Sequence, residues 1–150
     1  MRFFLAGIMQ GSHLALILHN QDYRARLKSL LAEHFPGAEV YDPLADHAKS
    51  VDYDEELGRR VFFHHNGLCR EVDVVIAFVP EASMGTAIEM WEAYQHGRVV
   101  ISISPLKHNW AVKFLSHELY ASLEDFESAL VSGRLASRIE EEKTRMTKSE

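Results

Sequence analysis

Strand-length apolar runs alternate with longer stretches of helical periodicity along most of this chain. The runs are Phe3 to Ala6, Glu39 to Tyr41, Asp73 to Val79 and Arg98 to Ser102, with a weaker one near Glu118 to Tyr120. A strand that is apolar at nearly every position, rather than at every second one, is buried on both faces. That happens in parallel sheets covered by helices on each side. The intervening segments supply those helices. Leu27, Leu30 and Leu31 recur at helical spacing over Asp22 to His34, and Pro36-Gly37 ends that helix. A second helix is expected from about Tyr53 to Arg70, with Leu57, Val61, Phe62 and Leu68 on one stripe, and a third from Met84 to His96, stopped by Gly97.

The order strand, helix, strand, helix, strand, helix, strand predicts an α/β fold: a three-layer open parallel sheet of about five strands with helices on both faces, flavodoxin- or Rossmann-like. The chain is expected to be one domain over residues 1–150, since 150 residues with 47% hydrophobic content can bury a continuous core without staples. From about Leu123 the sequence looks helical and becomes highly charged after Arg138. There Arg138, Lys143, Arg145 and Lys148 offset Glu140, Glu141, Glu142 and Glu150. Such a run reads as a solvated helix or frayed tail without a catalytic role.

Charge and cysteine content exclude several functions. A formal charge of -6 leaves no broad basic surface for a polymeric nucleic acid. The lone Cys69 rules out an internal disulfide and a multi-cysteine zinc site, and fits a reducing compartment, so a cytoplasmic location is expected. The opening Met1 to Met9 run is too short, and lacks a small-residue cleavage site, to read as a signal peptide. No apolar stretch approaches the roughly 18 residues that a membrane span needs.

In open parallel sheets ligands bind beyond the carboxyl ends of the strands, where the strand order reverses. Three loops meet that condition: Gly7 to His13, Asp42 to Ser50 and Pro80 to Thr86. The first, Gly7-Ile8-Met9-Gln10-Gly11-Ser12, has glycines that let backbone N–H groups approach a phosphate or sugar, or simply form a tight turn. Its spacing is not that of a dinucleotide fingerprint. The richest stretch is Val79 to Met90. Ser83 is suited to N-cap the third helix, and Gly85 and Thr86 place backbone N–H groups in its first turn, where the dipole favours an anion. Glu89 lies four residues beyond Gly85 on the same helix side, so its carboxylate is directed toward whatever the helix start holds. Its neighbours Ala87, Ile88, Met90 and Trp91 predict a partly buried acid of perturbed pKa. Nine histidines invite a metal reading, but His64 and His65 point about 100° apart on a helix, and no His-x-x-x-His pair lies beside an acid. No metal and no cofactor are expected.

Asp73-Val74-Val75-Ile76-Ala77-Phe78 followed by Ser83-x-Gly85-Thr86-x-x-Glu89 resembles the strand and active-site helix of the nucleoside 2-deoxyribosyltransferase-like family, which includes deoxynucleoside monophosphate N-glycosidases and cytidylate hydrolases. The resemblance spans about Phe3 to Ser104. It implies that Glu89 attacks or stabilises the anomeric carbon, and that Ser83 contacts the 5′ end of the substrate. In the family an aspartate at that position goes with nucleosides and a serine with 5′-monophosphates. The resemblance further implies that Phe4 lies beside the nucleoside and that Asn109, in His108-Asn109-Trp110, helps to complete a neighbouring subunit's site in a homodimer or higher oligomer. Two positions depart from the pattern. Gln10 stands where the monophosphate hydrolases carry an arginine, and His65 where the family has an aspartate. His65 is expected to donate a proton to the leaving base or to orient Glu89, and Asp42 to hydrogen-bond a base or ribose hydroxyl or to cap a helix. The reading is an enzyme that hydrolyses the N-glycosidic bond of a (deoxy)nucleoside 5′-monophosphate. Its rivals are a transferase exchanging bases, a non-catalytic nucleotide-binding module, and a nicotinamide-dinucleotide glycohydrolase.

Overall fold

The computed structural model describes residues 1–9 and 18–148. Its elements are β1 (Arg2–Gly7), α1 (Asp22–His34), β2 (Glu39–Tyr41), α2 (Pro43–Asp46), α3 (Glu55–Cys69), β3 (Val74–Phe78), α4 (Met84–Gln95), β4 (Val99–Ile103), α5 (Trp110–Leu115), β5 (Glu118–Tyr120), α6 (Leu123–Val131) and α7 (Arg134–Thr147). The five strands form one parallel sheet in the order β2-β1-β3-β4-β5.

Strands predicted from unbroken apolar runs are buried as that pattern requires: Phe3 to Ala6, Val74 to Ala77 and Val100 to Ile101 are inaccessible to solvent. Alternate residues feed two cores. Phe3, Leu5, Val74, Ile76 and Ile101 face one side, packed with the apolar stripes of α1, α6 and α7. Phe4, Ala6, Val75, Ala77 and Val100 face the other, packed with α3, α4 and α5. The expected three layers are therefore present.

Helix ends follow their capping chemistry. Asp54 accepts from Leu57 N–H at 2.8 Å, which sets the start of α3 at Glu55 rather than Tyr53. Gly97 stops α4 in the left-handed conformation, φ 65°. The C-terminal segment is two helices, divided at Gly133, φ 72°. α7 is not a frayed tail. Leu135 and Ile139 are fully buried, and Arg138 bonds the β5 residue Glu118 at 2.6 Å, so this charged helix has an apolar stripe docked on the sheet. Two short helices, α2 and α5, have too few residues to register as periodicity.

The strand order fixes where a ligand can sit. From β1 the chain goes to β2 on one side, and from β3 to β4 on the other, so the crevice opens between the adjacent carboxyl ends of β1 and β3. Gly7 and Phe78 are paired there.

Candidate functional site

Gly7 ends β1 at this switch point. A Cβ on it would lie 2.2 Å from the Tyr23 hydroxyl, so the glycine is fixed by the close approach of Tyr23, whose ring stacks on Phe78 at 4.1 Å. After β3 the chain passes through Val79 and Pro80 to Ser83, which caps α4. Ser83 Oγ accepts from the Thr86 hydroxyl at 3.0 Å and, more weakly, from Thr86 N–H at 3.4 Å. The first turn of α4 carries no acidic side chain, so no carboxylate within that turn occupies its dipole end.

These elements wall a cleft of ≈ 330 Å³. Gly7 and Met9 form its β1 side, Ser83 to Thr86 and Glu89 its α4 side, and Phe62, His65 and Asn66 its α3 side. An added Cβ at Gly85 would meet nothing within 4 Å, so the missing side chain leaves open space along this wall.

Glu89 is half-buried, with its carboxyl enclosed deeply enough that burial pushes its pKa from 4.5 up to about 8, while the Arg24 charge pulls weakly the other way. His65 moves oppositely. Burial lowers its pKa from 6.5 to about 4, assisted by His47 and His64. The His47 ring lies 5.1 Å from that of His65, and its Nδ1 shares a 2.9 Å hydrogen bond with the Tyr53 hydroxyl. Thus both titratable groups of the cleft favour the neutral form near pH 7, and neither charge opposes an incoming anion.

Arg24, which the sequence did not single out, organises the β-strand ends behind the cleft. It is buried, donates to Leu5 O at 2.9 Å and to Asp42 Oδ1 at 3.0 Å, and holds Gln21 Oε1 at 2.8 Å. Lys28 takes the other Asp42 oxygen at 2.9 Å, and Leu44 N–H bonds Oδ1 at 3.2 Å. Of the two roles expected of Asp42, ligand contact or helix cap, the structure shows the cap: its carboxylate pairs with Arg24 and Lys28 and caps α2, and Asp42 is not among the described residues that line the cleft.

Phe4, expected beside the nucleoside, also lies away from the cleft lining, and Asn109, expected to serve a neighbouring subunit's site, lies on another surface of its own chain. Phe4 has no exposed surface; it stacks on Tyr41 at 5.5 Å, behind His65. Asn109 caps α5 through Ala111 and Val112 N–H. It lines a separate apolar hollow of ≈ 340 Å³ that shares only Ser83 and Met84 with the cleft and has no titratable wall residue. Gln10, Gly11 and Ser12 lie outside the described residues. His65, Gly7, Met9, Ser83, Gly85, Thr86 and Glu89 are brought together. Phe62 and Asn66 were missed, although Phe62 lies three residues before His65 and four before Asn66, spacings that bring helical side chains to one side. Among the described residues, no group of three or more His, Cys, Asp or Glu side chains could hold a metal ion.

By sequence, the chain matches no protein-family model and no curated protein. Solved structures do match. A 2-deoxyribosyltransferase from the psychrotolerant bacterium Bacillus psychrosaccharolyticus superposes with a TM-score of 0.63 at 19% identity, over 87% of this chain and 96% of that one. The chain has the fold of a 2-deoxyribosyltransferase. A conserved protein from Enterococcus faecalis V583 matches with a TM-score of 0.58 at 16% identity, over 88% of this chain and 98% of that one. The CMP N-glycosidase of Clostridium botulinum matches with a TM-score of 0.52 at 20% identity, over 88% and 99%. At these identities the likeness is one of fold, and the deoxyribosyltransferase-like architecture accounts for nearly the whole length of each partner.

Proposed function

We propose that this protein is an N-glycosidase that releases the base from a (deoxy)nucleoside 5′-monophosphate. The observation that carries the reading is the convergence of Glu89 and the acid-free start of its own helix on one cleft at the β1–β3 switch point. Solved structures of the same fold include a 2-deoxyribosyltransferase and a CMP N-glycosidase, which supports glycosidic chemistry at this place.

In the mechanism the substrate's phosphate sits on the Ser83 helix start, where a hydroxyl and backbone amides receive it, helped by the glycine loop after β1. The C1′–N bond breaks, its electron pair leaves with the base, and positive charge develops on the sugar. Ionised Glu89 stabilises that charge or bonds to C1′; water then attacks C1′, releasing any bond to Glu89, its hydroxyl staying on the sugar and its proton going to the departed base. His65, with a pKa of about 4, is too seldom protonated at neutral pH to serve as a standing acid. Its part is that of a neutral hydrogen-bonding group. Cys69 is buried, and burial raises its thiol pKa, so it takes no nucleophilic role.

We further read the chain as a single-domain cytoplasmic protein that assembles at least as a homodimer. Met84 is 85% and Trp110 77% exposed, beside half-exposed Trp91 and Phe114, an apolar surface suited to cover by a second copy. No described helix is long and apolar enough to cross a membrane.

The deciding experiment is incubation with a panel of nucleosides, 5′-monophosphates and NAD, followed by chromatography of released base. Base from a monophosphate supports the proposal. New nucleoside formed when a second free base is supplied indicates a transferase, nicotinamide release indicates dinucleotide cleavage, and binding without turnover of any substrate indicates a sensing module.

A further inference from the structure

β1 outruns its neighbour on one side. β2 pairs with it only as far as Phe4 and Tyr41, whereas β3 follows it to Gly7 and Phe78. The carbonyls of Leu5 and Gly7, two residues apart and so pointing to one side of the strand, lie beyond the reach of β2. Arg24 of α1 takes the place of the missing strand. Its Nη1 donates to Leu5 O at 2.9 Å and its Nη2 reaches Gly7 O at 3.5 Å, while Nε holds Gln21 Oε1 at 2.8 Å. Gln21 in turn donates to Ile8 O at 3.0 Å. The guanidinium is thereby fixed at the end of β1, against Gly7, which lines the cleft together with Glu89.

A neutral donor would serve those carbonyls too, so the charge needs a separate explanation. A buried ion is costly unless its partners offset the loss of water. Arg24 pairs with Asp42 at 3.0 Å, but Asp42 also takes Lys28 at 2.9 Å. Two cations share one carboxylate, and the cluster keeps an excess of positive charge. The titratable groups around Glu89 are Tyr23 and Arg24 of α1 with Asp42 beside them, His65 and Cys69 of α3, and Glu92 three residues along α4. Glu92 is engaged by Arg70 at 2.7 Å. Among the described residues, Arg24 is the cation that acts on Glu89, opposing the burial that keeps the acid protonated. Glu89 needs its negative charge when positive charge forms on the sugar.

We propose that Arg24 is a positioning residue for the reaction: clamped to the open side of β1, it supplies the fixed positive charge that steadies Glu89 as an anion. Arg24 is not among the described residues that line the cleft, so it works through Glu89 and not on the substrate. What the anion does rests on the proposed glycosidase function; the coupling between the two side chains does not.

The test is a direct titration of the Glu89 carboxyl by carbon-13 NMR of glutamate-labelled protein, its resonance assigned with Glu89→Gln. Asp42→Asn preserves the shape and the acceptor for Leu44 N–H but leaves Arg24 less offset. It is expected to move the midpoint down by about half a pH unit or more. Arg24→Gln keeps a donor for Leu5 O without the charge and is expected to move the midpoint up by about as much, and Arg24→Lys to bring it back toward wild type. A purely structural role would alter the melting temperatures of these variants and leave the midpoint in place. A midpoint that stays at the wild-type value, or moves the opposite way, in either Asp42→Asn or Arg24→Gln overturns the proposal. Where Arg24→Gln fails to fold, Asp42→Asn decides alone. Base release by the wild-type protein is measured separately. Midpoints that move as expected without any base release uphold the hold of Arg24 on Glu89 and overturn the glycosidase reading; base release with midpoints that do not move does the reverse.

Discussion

Glu89 on α4 and His65 on α3 line the same cleft, and burial drives their proton affinities in opposite directions. The glutamate rises from 4.5 to about 8 and the histidine falls from 6.5 to about 4. Each is held neutral near pH 7 by the same cause, removal from water. A site that must admit a phosphate dianion and then build positive charge on a sugar gains from having no standing charge before the substrate arrives.

The pH–rate profile follows from Glu89. If its ionised form meets the oxocarbenium-like sugar, kcat/KM rises about ten-fold per pH unit below about pH 8 and levels off above it. Initial rates of base release between about pH 6 and about pH 9 check this. A profile that falls over that range would mean that the protonated acid, donating to the leaving base, is the working form.

Stability responds to the same groups. Glu89 has a folded pKa above its unfolded value, so its protonated form favours the fold. That contribution is complete below about 4.5 and is lost as pH rises through about 8. Glu89→Gln removes the penalty and is expected to stabilise the protein by on the order of 1–3 kcal/mol at about pH 9, and hardly at all at about pH 4. For His65 the folded pKa is depressed, so its contribution is complete above 6.5 and is lost as pH falls toward about 4. Denaturant titrations across pH read both effects; a Glu89→Gln variant less stable than wild type at high pH would contradict them.

Gly85 borders the cleft with no protein atom within 4 Å of an added Cβ. Gly85→Val therefore leaves the fold intact and fills ligand space instead. Thermal unfolding within a few degrees of wild type, together with a KM raised about ten-fold or more, is the expected pair of results. A large stability loss with unchanged KM would show that the glycine serves packing.

Gly7 presents the reverse case. A Cβ there would lie 2.2 Å from the Tyr23 hydroxyl. Gly7→Ala is expected to cost about 1–3 kcal/mol of stability, and the double variant Gly7→Ala/Tyr23→Phe to recover most of it. Additive losses in denaturant melts would mean that the clash is with something other than the hydroxyl.

The sheet and its three layers were legible because a strand buried on both faces must be apolar almost throughout, as Val74 to Phe78 is. The α4 start was legible because Ser83 is a typical helix cap and Gly85 and Glu89 lie four residues apart, where helical spacing brings them to one side. Asp42 shows the limit. A carboxylate at a strand end before Pro43 reads as a ligand contact or as a cap, and nothing local reveals that Arg24, 18 residues away, pairs with it. The apolar stripe of α7 was masked by the charges on its outer side, since Leu135 and Ile139 are spaced one turn apart among residues that face water.

The central claim is that the Glu89 carboxyl carries the chemistry. Its most direct test is single-turnover base release from the best 5′-monophosphate by wild type and Glu89→Gln at about pH 8, with circular dichroism confirming equal folding. The account predicts that the variant binds the nucleotide and releases base at least about a thousand-fold more slowly. Release at a rate near that of wild type would contradict it.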